Sequence, residues 1–336
     1  METLQQNLFQ QIKNRLSPHL SLVDEVAEIL NISNDSAYRR IRGEKHISFE
    51  ELQKLASHFN ISVDQVLKLK TNTGTYSGKF VDAENFDFKS FLEDVVKNLK
   101  FIASFRNKEI TYFSKDIPIF HYFTYPELAA FKYFFYMKTL LKAPNLANVP
   151  FHVDAFLQPI IDASNAIIST YNTIPSVEIM SIENINTTLR QIEYYKETYQ
   201  FKSAEDLDML YEKLHQMTDH IAAQADVGKK FFPNQNHEFL TGYYKLYVND
   251  FIIGDNSNLA ICDDLKISYI LHNHLNYMII TDPAFTSYHQ SCMQNIIKKS
   301  ILISETGEKF RSRFFYIIHD KIEMWRKNQA QTIIKL

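Results

Sequence analysis

The stretch SNDSAYRRIRGEKHISFEEL, Ser33 to Leu52, sets Arg39, Arg40 and Arg42 directly before Gly43. It is punctuated at both ends. Ser33 can cap a helix start, since its hydroxyl can accept from an otherwise unpaired amide. Gly43 stands where a left-handed C-terminal cap belongs. Between them, about Asn34 to Arg42, only Ala37 and Ile41 are apolar, four residues apart. Ser48-x-x-Glu51 is a capping box that opens the next helix. A short helix with a thin apolar side and three arginines is thus held between two well-marked helices.

The flanking sequence supplies those helices. Residues 4–16 carry Leu8, Phe9, Ile12 and Leu16 on one face, and Pro18 should stop the run. Ser21 opens a second helix with Asp24 near its N-terminal amides, and its stripe is Val23, Val26, Ala27 and Leu30. Asn31 suits a left-handed turn, so this helix and the next should cross steeply. Leu52, Leu55, Ala56 and Phe59 form the stripe after Ser48. Ser62-x-x-Gln65 leads into Val63, Val66 and Leu67. The expectation is a five-helix domain over residues 1–70.

VDEVAEILNISNDSAYRRIRGEKHISFEELQKLASHFNISVDQVLKL resembles the Cro/C1-type (xenobiotic-response-element-like or XRE, λ-repressor-like) helix-turn-helix domain. The resemblance covers about residues 4–70. It rests on Ala27, the turn at Asn31-Ile32, Ser33 opening the third helix, and the RGEK, SFEELQKLA and FNISVDQVL segments. It implies a sequence-specific transcriptional regulator that lays residues 33–42 in the major groove of double-stranded DNA. One position departs from the family pattern. Arg40 stands where an apolar residue is usual, and Ile41 is expected to take the inward place.

The side chains fit that chemistry. N-terminal residues of such a helix read base edges. Ser33 and Ser36 flank the helix start. Asn34 suits an adenine edge, Asp35 a cytosine amine, and Arg39 or Arg42 a guanine. Tyr38 lies on the same outward side and can instead cover the domain core. Arg40 and Lys45 are expected on phosphates, adding affinity without sequence information. The simpler alternative is a solvated helix face complementing the C-terminal dipole. Residues 1–70 hold nine Lys/Arg and nine Asp/Glu, so the cations are concentrated at 39–45 rather than spread over the domain. With one copy of the motif, reading two half-sites requires a homodimer.

Composition limits the rest. The 336 residues carry a net charge of −3, so the chain as a whole is no polybasic binder. Seven Gly and nine Pro in a chain that is 45% hydrophobic favour long helices and a large core. The two cysteines match no zinc or redox spacing. No secretory leader and no run long enough to span a membrane is visible, so a soluble cytoplasmic protein is expected.

Residues 71–79, TNTGTYSGK, read as a linker. The expected region beyond, 80–336, is a larger, mostly helical α+β domain. Phe88, Phe91, Leu92, Val95, Leu99 and Ile102 mark a helix, and EITYF (109–113) a short strand. IFHYFTYPELAAFKYFFYMK (119–138) holds nine aromatics. It is read either as packed core or as the wall of an effector pocket. Residues 153–172, 181–199, a Ser203-capped run, 285–302 and 306–327 read as helices. A period-two stretch at about 243–280 (244–253, 259–262, 267–271, 276–280) predicts a small antiparallel meander.

Catalytic signals are weak. His272 and His274, with Asp282 near in sequence, form at best an incomplete metal set. His289 and Cys292, three apart on a helix, lack an orienting acid. No cofactor and no enzymatic activity are expected. The C-terminal region is expected to dimerise and to sense a small molecule or protein. The alternatives are an enzyme targeted by the N-terminal domain, or an antitoxin-like module that captures a partner.

Overall fold

A computed structural model describes residues 3–17, 19–67, 76–78, 87–113, 115–233, 242–249, 256–272 and 276–333, and leaves the side chains of Gln65 and of residues 328–333 undescribed. Pro18 and residues 71–75 and 79 of the expected linker lie outside the described residues.

Five helices form an N-terminal head: α1 (Leu4–Arg15), α2 (Leu22–Leu30), α3 (Asn34–Ile41), α4 (Phe49–His58) and α5 (Val63–Val66). Their starts follow from side-chain caps. Thr3 and Gln6 make a capping box on α1, and Ser48 and Glu51 make one on α4. The Ser21 and Ser33 hydroxyls accept from Asp24 N and Ser36 N. Asn31 is left-handed at φ 54°, which turns the chain from α2 into α3 within three residues. Gly43, at φ 81°, stops α3 in a conformation that a side chain disfavours. Leu8, Phe9, Ile12, Val26, Ala27, Leu30, Ala37 and Leu55 close a small core of their own.

The segment after the head returns as β1 (Ser77–Gly78), part of what the sequence presents as linker. The body then runs α6 (Phe88–Ala103), β2 (Lys108–Phe113), α7 (Ile119–Thr124) and α8 (Pro126–Phe135), which continues through one π-helical turn at Tyr136–Leu140. Next come α9 (Leu157–Asn172), β3 (Ser176–Met180), α10 (Asn184–Glu197), α11 (Ala204–Val227) and β4 (Tyr244–Val248). The chain finishes with β5 (Ser257–Cys262), β6 (Leu265–Leu271), β7 (Tyr277–Ile280), α12 (Pro283–Ile297), β8 (Ile301–Leu302) and α13 (Glu308–Ile333).

The sheet corrects the expected small antiparallel meander. Among the described residues it has eight strands in the order β1-β7-β6-β5-β2-β3-β4-β8, with β2-β3 and β3-β4 parallel. β5, β6 and β7 do form the antiparallel meander. However, β4 leaves it to pair with β3, a strand not foreseen because SVEIM carries a charge in its middle. Residues 250–253 of the expected first strand lie outside the described residues.

Alternation along the strands divides the core. Ile110, Tyr112, Ala260, Cys262, Ile267, Tyr244 and Leu246 join the large cluster built with α6 to α11 and α13. Phe113, Ile179 and Leu259 face the other way, onto Met293 of α12. The aromatic block resolves as core. Phe131 and Phe134 are fully buried and pack edge-on or tilted against Phe151 and Tyr195.

Head and body meet at α1, α4 and the end of β7. Arg15 Nη1 donates to Phe59 O at 2.7 Å, and Nη2 donates to Thr281 Oγ1 at 2.6 Å.

Candidate nucleic-acid interface

Within α3, the turn of 3.6 residues sends Asn34, Asp35, Tyr38, Arg39 and Arg42 to one side. All five are exposed, whereas Ala37 is buried and Ile41 half-buried. The side chains of Arg39 and Arg42 are 55% and 58% accessible. Their nearest anion is Glu44, 4.0 Å from Arg39 Nε and 3.2 Å from Arg42 Nε. Exposed pairs of this kind contribute ~0–1 kcal/mol, so a phosphate or a base edge can displace Glu44. Arg42 also lies 5.5 Å from the centre of the Tyr38 ring. An α-helix with its side chains is about 10–12 Å across, close to the width of the DNA major groove.

Arg40 corrects the expected site. It is 5% exposed, not a phosphate contact. Nε and Nη2 donate to the two carboxylate oxygens of Glu51 at 3.1 and 2.7 Å, and Nη1 donates to Ser36 O at 3.2 Å. Arg40, and not Ile41 alone, takes the inward place, because Glu51 on α4 supplies a fork-matching partner. The hydrogen bond from Arg40 holds the Glu51 carboxyl below the usual glutamate range. The same Glu51 completes the α4 capping box, so one carboxylate ties α3 to the start of α4.

The other expected residues divide by role. Ser33 caps α3, and Ser36 is half-buried. Asn34 Nδ2 donates to Asp24 Oδ1 at 2.8 Å, which orients its amide from α2. Lys45 is exposed just past α3. Its position is fixed by a residue the sequence did not flag. Gln5 Nε2 donates to Arg40 O at 2.7 Å and Lys45 O at 2.8 Å, while Gln5 Oε1 accepts from Ile47 N at 3.2 Å. A glutamine on an exposed helix face gives no such signal in a sequence.

Among the described residues, the candidate catalytic residues do not assemble. His272 is exposed, and His274 lies outside the described residues. Asp282 caps α12 by accepting from Phe285 N. His289 is buried between Ser268 Oγ and Ser257 Oγ, at 2.8 and 3.1 Å, so its ring nitrogens bind two strands rather than Cys292. Among the described residues there is no group of three or more His, Cys, Asp or Glu placed to hold a metal ion. Also among them, no helix is long and apolar enough to cross a membrane.

Perturbed ionisable groups lie inside the body instead. Glu178 accepts from His121 Nε2, Tyr171 Oη and Tyr244 Oη at 2.7–3.0 Å. Burial pushes its carboxyl up, but the His121 charge and these donors outweigh burial and hold it below the usual range. Asp116 accepts from Lys132 Nζ and Tyr122 Oη. Burial lowers Lys132, and Asp116 opposes that shift. The sequence signal for both clusters is a charge set inside an apolar run, Glu178 in SVEIM and Lys132 in AAFKYFF.

A family model for the BetR domain matches residues 3–89, the head and the segment up to the start of α6. This corrects the Cro/C1-type resemblance. The five-helix layout is present, but the family that matches is the BetR domain, and Arg40 is the position where the sequence departed from the other pattern. The BetR domain is a helical, DNA-binding-like regulatory domain. No curated protein and no solved structure matches the chain.

Proposed function

With a BetR-type head as premise, we propose that the protein is a sequence-specific transcriptional regulator that reads DNA with the exposed face of α3. The observation that carries this reading is the pair Arg39 and Arg42. Both are more than half accessible, both lie on one side of α3, and each has the exposed Glu44 as its ion-pair partner among the described residues. Asn34, Asp35 and Tyr38 share that face, and Ser33 brings the helix amides to its start. Lys45, fixed by Gln5, contacts the adjacent phosphates. Arg40 is the internal brace that sets the angle of α3 on α4.

The body makes the regulator a dimer, which brings two α3 helices to two half-sites. Exposed Phe310 and Tyr316 on α13 and Tyr288 on α12 supply apolar surface for pairing. The same body senses rather than catalyses. Its buried ionisable groups Glu178, Lys132 and Lys230 are matched by protein partners.

The test is recovery of bound fragments from sheared genomic DNA with the full chain, with the mass in solution measured in parallel. Enrichment of a few sites with two-fold symmetry, by a dimer, is expected. Even recovery of unrelated fragments would contradict the reading.

A further inference from the structure

An opening inside the body lies between α6 and the sheet, with a volume of about 130 Å³. Strand alternation places Tyr112, Asn258, Ala260 and Tyr269 on this side, and Leu99 and Ile102 of α6 face them. The opposite side of the same strands is occupied by α12, where His289 takes Ser257 and Ser268. The aromatic block at 119–138 contributes only Ile119 and Phe120 to the cavity.

One polar atom in this wall is unmatched. Asn258 is 7% exposed, and among the described residues its buried Oδ1 has no hydrogen-bond partner. It sits directly across the ladder from Tyr112, whose phenol its side chain hydrogen-bonds. A buried acceptor left in this condition costs ~1–3 kcal/mol. A ligand N–H or O–H would remove that cost. The one carboxylate in the wall, Asp116, already accepts from Tyr122 and Lys132. A cationic ligand thus finds its counter-ion engaged, and an anionic one is repelled. The volume is close to that of an apolar cavity that takes one benzene ring.

We propose that this cavity binds a small uncharged ring compound bearing one N–H or O–H donor, and that the head reads its occupancy. This rests on the regulator reading above. The route is short. Leu271 and Tyr277 of the cavity wall begin and end the β6–β7 connection. β7 pairs on its far edge with β1, the strand that follows the head. Thr281, one residue past β7, accepts from Arg15 of α1. A cleft of about 500 Å³ lies between α4 and the β1–β7 edge. The Arg15–Thr281 tie between head and body thus adjoins the cavity wall through β7.

The test titrates the full chain with phenol and with toluene by calorimetry, and separately measures its affinity for a recovered duplex with and without phenol. Phenol should bind one per chain and about tenfold more tightly than toluene, the value of one hydrogen bond. Asn258→Leu should bring the two ligands to equal affinity. Ala260→Ile, which fills the gap, should weaken both at least tenfold. Phenol should shift duplex affinity in the unmodified chain and leave it unshifted in Thr281→Val. Absence of phenol binding, or equal binding of phenol and toluene to the unmodified chain, overturns the site, whatever the DNA result. Binding with unchanged duplex affinity overturns its role as an effector site. Neither result touches DNA recognition itself, which the duplex titration reads independently.

Discussion

In the head, Arg39 and Arg42 stand more than half exposed, paired among the described residues only with the exposed Glu44. In the body, Lys132 and Lys230 are enclosed, and protein oxygens meet each of them. The same kind of charge serves two purposes. A weakly paired cation in water keeps its attraction for an incoming phosphate. A buried one, surrounded by acceptors, has no affinity left to offer and instead fixes neighbouring elements in one arrangement. Arg40 shows that position in the sequence does not decide between them. It lies between Arg39 and Arg42 in the head, yet Glu51 and Ser36 O take it as they would a body lysine.

The comparison breaks most readily in the body. Lys132→Met should leave Asp116 buried without its cation and lower stability by about 3–5 kcal/mol, read from denaturant midpoints. Adding Asp116→Asn should restore much of the loss. An unchanged midpoint in the single variant would show that these enclosed cations are not structural.

Acid should also separate the two regions. Burial, with the nearby His121 charge, lowers His220 from 6.5 to about 4, against the Phe231 carbonyl that accepts from its ring. In the unfolded chain the imidazole takes its proton near pH 6.5, so folding favours the neutral form. That contribution is complete above pH 6.5 and is lost as pH falls towards 4, by roughly 3 kcal/mol at about 1.4 kcal/mol per unit. Urea unfolding from pH 7 to 4 should show the body weakening across this window. His220→Gln, which keeps a donor for Phe231 O, should flatten the dependence.

Arg40→Ala should destabilise the head by about 2 kcal/mol, since Glu51 stays only partly accessible. Amide exchange in α3 and α4 measures this, and protection equal to the unmodified chain would contradict the brace. The smallest effect belongs to Lys45→Ala. It should weaken all duplexes alike and reduce the salt slope by about one, with the unfolding midpoint unmoved.

Much of the head was legible because its signals are local. Ser21, Ser33, Ser48 and the left-handed Asn31 act within three or four residues of where they stand, and apolar spacing fixed each buried face. The hairpin strands β5 and β6 were legible for the same reason. β3 was not, because a parallel strand is stabilised by partners far away in sequence, and Glu178 reads as polar until His121, Tyr171 and Tyr244 converge on it. Ser77 and Gly78 read as linker because β7, their partner, lies two hundred residues on. Arg40 was misplaced because a charge is read as exposed unless its counter-ion is visible, and Glu51 is eleven residues distant. Asn258 carries no mark at all in the sequence, since an unmatched acceptor is a property of the packed wall.

The central claim is that the outer face of α3 reads base edges. The direct measurement titrates the unmodified chain and Arg39→Ala against a recovered site and a scrambled duplex at one salt concentration, with unfolding midpoints taken on the same samples. An unchanged midpoint and a loss of about 1–3 kcal/mol on the recovered site alone are expected. An equal loss on both duplexes, or no loss on either, would contradict the claim.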